Sequence, residues 1–167
     1  MVGEWMSKPT AAEVRDLFIY DSASGNLIRR NDGHKCKAGD IAGHVSKHHG
    51  YRFIKIRSLR YAAHRLVWLH MHGDWPTHEI DHINGIPTDN RIENLRDVPH
   101  QLNVQNLRTR TSSSSTGLLG VGPKDGKWRA RIRVNDKPLI LGTFDTKELA
   151  YAAYVDAKRA LHQGCTI

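Results

Sequence analysis

The chain has little cysteine. Cys36 and Cys165 are the only two, far apart and in no metal-ligand spacing. A disulfide framework is therefore not expected, and a reducing interior fits. Long apolar runs are lacking as well. No stretch approaches the roughly 20 residues of a membrane-spanning helix, and the start, Met1 to Lys8, has no signal-peptide core. A cytoplasmic protein, not secreted, is expected. Apolar residues are somewhat scarce at 39% of 167 residues, which still allows modest cores. The length suits one ordinary domain, or a compact domain with a small one appended. Acidic residues are also in deficit, 17 against 25 basic ones, for a net charge of +8. Such an excess suggests a polyanionic partner. Charge alone does not separate that partner from a solvated basic surface, so the placement of the charge has to decide.

One break in the chain is plain. Thr109-Arg110-Thr111 runs into Ser112-Ser113-Ser114-Ser115-Thr116-Gly117. A serine run has little to bury and reads as a linker, residues 111–116. Before it, Thr10 and Glu13 predict a capping box at the head of a helix running to Phe18. Tyr20 to Ile28 reads as a hairpin turning at Ser24-Gly25-Asn26. Gly50 to Arg57 reads as a strand, and Ala62 to His72 as a helix ended by Gly73 and Pro76. His78 to Ile83 is a short strand. A polar loop follows from Asn84 to Arg91, then an irregular return over Ile92 to Val98, then a helix from His100 to Leu107 led in by Pro99.

The tail alternates strictly. In Lys127-Trp128-Arg129-Ala130-Arg131-Ile132-Arg133-Val134 the arginines share one face and the apolar residues the other. Asn135-Asp136-Lys137 is a tight turn and Leu139 to Phe144 the next strand. Thr146 then caps a helix whose stripe is Leu149, Ala150, Ala153, Tyr154, Ala157 and Leu161. A three-stranded antiparallel sheet packed on one helix is expected. Its arginine face points away from the helix, toward water or a partner.

Phosphodiester hydrolysis needs an activated water and a cation on the phosphate. Asp81 and His82 are neighbours on a strand and face opposite ways, which suits different tasks. A carboxylate and an amide oxygen are suitable ligands for Mg²⁺ or Mn²⁺, and a metal-free histidine is poised as a base. The pairs His48-His49, His70 with His72, and His78 with His82 do not make a zinc site. Zinc sites usually include cysteine, and neither cysteine lies near.

The ordered string from His64 onward carries a family resemblance. It runs His64-Arg65-Leu66-Val67, Ile80-Asp81-His82-Ile83-Asn84-Gly85, Asp89-Asn90-Arg91-Ile92-Glu93-Asn94-Leu95, and Asn103-Val104-Gln105-Asn106. Over roughly residues 60 to 108 it resembles the HNH nucleases, specifically the phage and intron homing endonucleases. The resemblance implies a strand–loop–strand–helix finger holding one divalent metal. Asp81 matches the acidic metal ligand and His82 the general base. Asn94 matches the asparagine that pins the loop and orients the histidine. Asn103 matches the second metal ligand, a position where many members have histidine. Asparagine there favours Mg²⁺, with Mn²⁺ as the substitute, over zinc.

The tail resembles the APETALA-type, or ethylene-response-factor, DNA-binding domain. The residues are Gly117, Gly120-Val121, Lys127 to Ile132, Leu141 to Thr146, and Ala150-Tyr151-Ala152-Ala153-Tyr154. That family lays its sheet in the major groove. Arg131 and Arg133 match its contact positions, Arg129 shares their face, and Lys124 and Lys127 lie beside it. Pro138, Ile140 and Gly122 depart from the plant pattern, so its target sequence does not carry over. Arg52 and Lys55 on the N-terminal strand are candidates for phosphate contacts that position rather than specify.

The expected fold class is α+β. Residues 1–110 would be a nuclease domain, with the finger at about 78–108 and a β-rich DNA-contact region at about 18–60. Residues 117–167 would be the APETALA-type domain. The resemblance implies a homing-type endonuclease acting on double-stranded DNA in a bacterial or phage-infected cell, leaving 5′-phosphate and 3′-hydroxyl ends. A monomer, the favoured state, has one such site and would nick one strand, unless the protein dimerises or turns over on both strands. Two rivals stay open: a non-catalytic DNA-binding regulator that keeps the finger as scaffold, and a non-specific nuclease.

Overall fold

A capping box opens the first helix, α1 (Ala11–Leu17). The Glu13 amide donates to the Thr10 hydroxyl at 3.2 Å, and the Thr10 amide donates to the Glu13 carboxylate at 2.8 Å. Two otherwise unpartnered groups are thus satisfied, a contribution of about 1 kcal/mol. The structure, a computed structural model, describes residues 7–107 and 116–166. The serine run at 111–115 lies outside those residues. The chain divides into two units, Met1–Val98 and Pro99–Ile167.

In the first unit α1 leads directly into β1 (Phe18–Asp21), which pairs antiparallel with β2 (Asn26–Arg29). A second antiparallel sheet has the order β3 (His44–Val45), β4 (Arg52–Ile56), β5 (Leu59–Ala62). Only β4 was expected. Strand β3 is two exposed residues, too short for a periodicity. Strand β5 abuts α2 (Ala63–His72), so its residues read as the approach to the helix. Helix α2 buries Ala63, Leu66, Val67 and Leu69 against Val14, Phe18, Leu27, Ile54 and Ile56. Truncating one of these fully buried leucines to alanine costs roughly 2–5 kcal/mol. Gly73 ends the helix in the left-handed region, φ 90°, with its amide donating to Leu69 O. Beyond it, β6 (Glu79–His82) pairs antiparallel with β7 (Leu95–Val98), and one turn of 3₁₀ helix, Ile92–Asn94, leads into β7. Ile80 and Leu95 insert into the same core and anchor the pair.

The second unit begins with α3 (His100–Gln105). This helix is tied to the chain's C-terminal end. The Gly164 amide donates to Gln105 Oε1 at 2.9 Å, the Lys158 ammonium donates to Leu107 O, and the Thr166 hydroxyl bonds the Asn106 side chain. The tail itself has the expected architecture. Strands β8 (Val121–Lys124), β9 (Lys127–Val134) and β10 (Lys137–Phe144) form an antiparallel sheet in the order β10-β9-β8, packed on α4 (Lys147–Leu161). Thr146 caps α4 by accepting from the Leu149 amide at 3.2 Å. Asn135 and Asp136, both at positive φ, make the hairpin turn that matches the twist of β9 and β10. Ala130 and Ile132 are buried on one face of β9, and Arg131 and Arg133 are exposed on the other. Gly120, at φ 70°, lies under the Tyr154 ring, where a side chain has no room. The described residues thus form an α+β protein whose sheets are all antiparallel.

Candidate active site

Strand pairing sets the site's frame. Register places Asp81 opposite Arg96 and His82 opposite Leu95. The two neighbours consequently meet different surroundings. Arg96 donates to Asp81 Oδ2 through Nε at 2.8 Å and lies 2.7 Å from it through Nη2. The guanidinium thereby holds the carboxylate in one orientation. Both Asp81 and His82 are buried.

The loop between β6 and β7 is held by its own side chains. Asn94 Oδ1 accepts the Asn84 amide at 2.9 Å, and Asn94 Nδ2 donates to Asp89 O at 2.8 Å and to Asn84 Oδ1 at 3.0 Å. Asn84 Nδ2 donates in turn to Asp89 Oδ2 at 2.7 Å. The Arg91 guanidinium grips Asp89 at 2.7 and 2.8 Å and holds its carboxyl at about 2. Tyr20, from β1, accepts the Ile92 amide at 2.9 Å and ties the loop to the hairpin. Asn94 thus bridges Asn84 and Asp89 across the loop. A second loop asparagine reaches the histidine ring.

That residue is Asn90, which is 1% exposed. His82 Nε2 and Asn90 Oδ1 are 3.0 Å apart. An amide oxygen only accepts, so Nε2 carries the hydrogen and Nδ1 the lone pair of the neutral ring. Burial pushes the His82 pKa below its ordinary value, against the opposing pull of the Asn90 bond and of the Asp81 and Asp89 charges. The imidazole is therefore held as a neutral base. His64, from α2, stands edge-on to the His82 ring at 5.1 Å between centroids, and Tyr51 lies 5.7 Å from it on another side. Burial first, then the neighbouring His82 and Arg65, lowers the His64 pKa to about 3. It forms a neutral wall. Asn90 and His64 were in the matched string without a role. Nothing in their spacing announces one; the signal is that a loop asparagine and a helix histidine are buried.

The other candidate residues fall as follows. Asn103 sits on α3 in the second unit, while Asp81, His82 and Asn94 belong to the first. Among the described residues no group of three or more His, Cys, Asp or Glu converges as a metal cage. Asp81 offers a carboxylate oxygen and Asn103 an amide oxygen, both donor types that hard divalent cations take. Arg52 and Lys55 lie on opposite faces of β4. Arg52 has the parity of the buried Ile54 and Ile56, and its guanidinium bonds Gly43 O at 3.4 Å, whereas Lys55 is exposed on the other face. Arg131 and Arg133 are exposed and Arg129 is half-buried. Lys124 and Lys127 are paired with Asp125 and Asp145, at 2.8 and 2.7 Å. Ile140, opposite Arg131 in the register, is 61% exposed on the arginine face.

Residues 61–105 match the family model described as HNH endonuclease. The matched span runs from β5 through the β6–loop–β7 element to the end of α3, and it contains Asp81, His82, Asn90, Asn94 and Asn103. The match to an HNH endonuclease domain at these residues suggests a DNA endonuclease in general and implies DNA as the substrate. Nucleases of this kind generally use a divalent metal. No curated protein and no solved structure matches the chain.

Proposed function

We propose that the protein is a site-specific, metal-dependent DNA endonuclease of the homing type, with His82 as its general base. One observation carries this reading. A buried histidine, kept neutral by its surroundings, is held in one tautomer by Asn90 inside a loop that Asn94 closes. Such a group can take a proton from water without first losing one itself. The water oxygen attacks phosphorus as its proton passes to His82 Nδ1. The bond to the 3′ oxygen breaks with its electron pair going to that oxygen, which takes a proton from solvent water, leaving a 5′ phosphate and a 3′ hydroxyl. Asp81 and Asn103 would hold a divalent cation, Mg²⁺ or Mn²⁺, whose charge stabilises the crowded phosphate and the departing oxygen. Arg96 keeps the Asp81 carboxylate aimed through its bonds to Oδ2.

Target choice belongs to the tail. Its three-stranded sheet on one helix, with exposed arginines on the open face, is the architecture an APETALA-type domain presents to the major groove. Arginine forks there suit guanine edges and phosphates. With one such site per chain, a monomer nicks one strand.

Supercoiled plasmid incubated with Mg²⁺ tests the reading. Wild type relaxes or linearises it, and His82→Ala slows the reaction about 10²- to 10⁴-fold while still binding DNA. Wild type that binds plasmid and leaves it supercoiled would make the protein a non-catalytic regulator. Genomic DNA adds the second discrimination: discrete nicks or fragments support a site-specific enzyme, and a smear a non-specific one.

A further inference from the structure

A second cationic feature lies in the first unit, away from the loop that holds His82. Lys8, Arg60 and Arg65 line a cavity of about 240 Å³ with Tyr61, Ala62 and Trp75. The cations are pre-positioned by aromatic rings. Lys8 Nζ lies 5.5 Å from the centroid of the Trp75 ring and the Arg65 guanidinium 5.9 Å, while the Arg60 guanidinium lies 5.4 Å from that of Phe53. Trp75 is itself fixed, its Nε1 donating to Pro9 O at 3.0 Å. None of the three cations is ion-paired to a described residue. Three like charges therefore border one cavity without compensation, and only side chains held in place by cation–π contacts would keep them there.

The chemistry of the lining selects the ligand. Lysine and arginine only donate hydrogen bonds. Among the lining side chains only the Tyr61 hydroxyl can accept, so a nucleobase edge, with donors of its own, would be poorly served. The indole already carries two cations and is not a clean platform for base stacking. A ligand that only accepts and carries negative charge fits, and arginine forks suit phosphate in particular. We infer that this cavity is a docking site for a backbone phosphodiester of the DNA substrate, an inference that rests on the nuclease reading for its choice of polyanion. Its place supports that choice. Arg65 Nη1 donates to His78 O at 3.2 Å, which ties the cavity wall to the lead-in of β6. Three residues of extended chain, about 10 Å, separate His78 from Asp81. A phosphate held here belongs to the same stretch of DNA as the bond to be cut.

The test measures binding in EDTA, so cleavage need not occur. A fluorescein-labelled 20-base-pair duplex is titrated, across a series of salt concentrations, with wild type and with Lys8→Gln/Arg60→Gln. Both replaced residues are exposed, and an unchanged melting temperature verifies the fold. The control, Lys147→Gln/Arg159→Gln on α4, removes the same charge from exposed positions elsewhere. The cavity variant should bind about tenfold more weakly, and its salt slope should fall by about one, the value for one phosphate contact. The control should change binding by less than about half of that on a logarithmic scale. In parallel, the assigned indole N–H resonance of Trp75 should move when duplex is added to wild type and stay put in the cavity variant. A cavity variant no weaker than the control, a Trp75 signal that ignores duplex, or a wild type that binds no duplex overturns the inference. If all three expectations hold while plasmid cleavage fails, only the nuclease reading falls.

Discussion

The β6–loop–β7 element and the tail sheet both present polar groups, but they are built in opposite ways. Around His82 the polar groups are buried and bonded to one another: Asn90 to His82, Asn94 to Asn84 and Asp89, Arg96 to Asp81. On the tail sheet Arg131 and Arg133 stand exposed on an open face. On the proposed function the difference follows from the two tasks. Proton transfer needs one ring in one tautomer at one place, and a buried network fixes those at the cost of desolvation. Holding a long polyanion needs charges that reach and adapt, and exposed side chains supply them with little penalty.

That contrast predicts unequal responses to substitution. After His82 itself, the largest is expected at Asn90. Asn90→Ala leaves the His82 Nε2–H without its acceptor, and kcat for plasmid nicking should fall by about ten- to a hundredfold with KM little changed. Asn90→Asp keeps an acceptor, recovers part of the rate, and moves the acidic limb of the rate–pH profile upward, because a carboxylate favours the protonated ring. Loss in KM alone would mean that the buried network serves binding, and the contrast would fail. The next effect is acid sensitivity of the first unit. His64 is neutral both folded and unfolded above about pH 6.5. Below that the unfolded chain takes up a proton that the folded one, with a pKa of about 3, does not. Stability therefore falls as pH falls, by about 1.4 kcal/mol per unit, or about 2 kcal/mol between pH 6.5 and 5. Urea melts of wild type and His64→Gln should diverge in that window, and parallel curves would remove His64 as the cause. The smallest effect belongs to the open face. Arg131→Ala should weaken duplex binding several-fold and lower the salt slope by about one, with the nicking rate of bound DNA unaltered. An unchanged slope would leave the arginine face a solvated surface.

Much of the fold was legible in the residues themselves. Thr10 with Glu13, the alternation from Lys127 to Val134, and Gly73 after a helical stripe each state a local rule. The structure meets each of them. Strands β3 and β5 were not legible. Pairing with β4 makes them strands, and their own few residues show no period. Within the site, the match from His64 to Asn106 pointed to Asp81, His82, Asn94 and Asn103, and in the structure Asn94 bonds Asn84 and Asp89 across the loop. The bond between Asn90 and the His82 ring adds a residue to which the match gave no role. The structure also separates Arg52 from Lys55, because a strand turns residues three apart to opposite faces.

Local chemistry in the sequence determined where helices begin, where chains turn, which face of the tail carries charge and which short stretch holds the carboxylate and the imidazole. Those properties depend on neighbours a few residues apart. Tertiary structure alone decided the state of that imidazole. Its tautomer comes from Asn90, across a loop, and its neutrality from burial under His64 and Tyr51, which arrive from α2 and from the chain just before β4. Burial and hydrogen bonding between distant residues exist only once the core of Leu66, Leu69, Ile80 and Leu95 has brought those segments together.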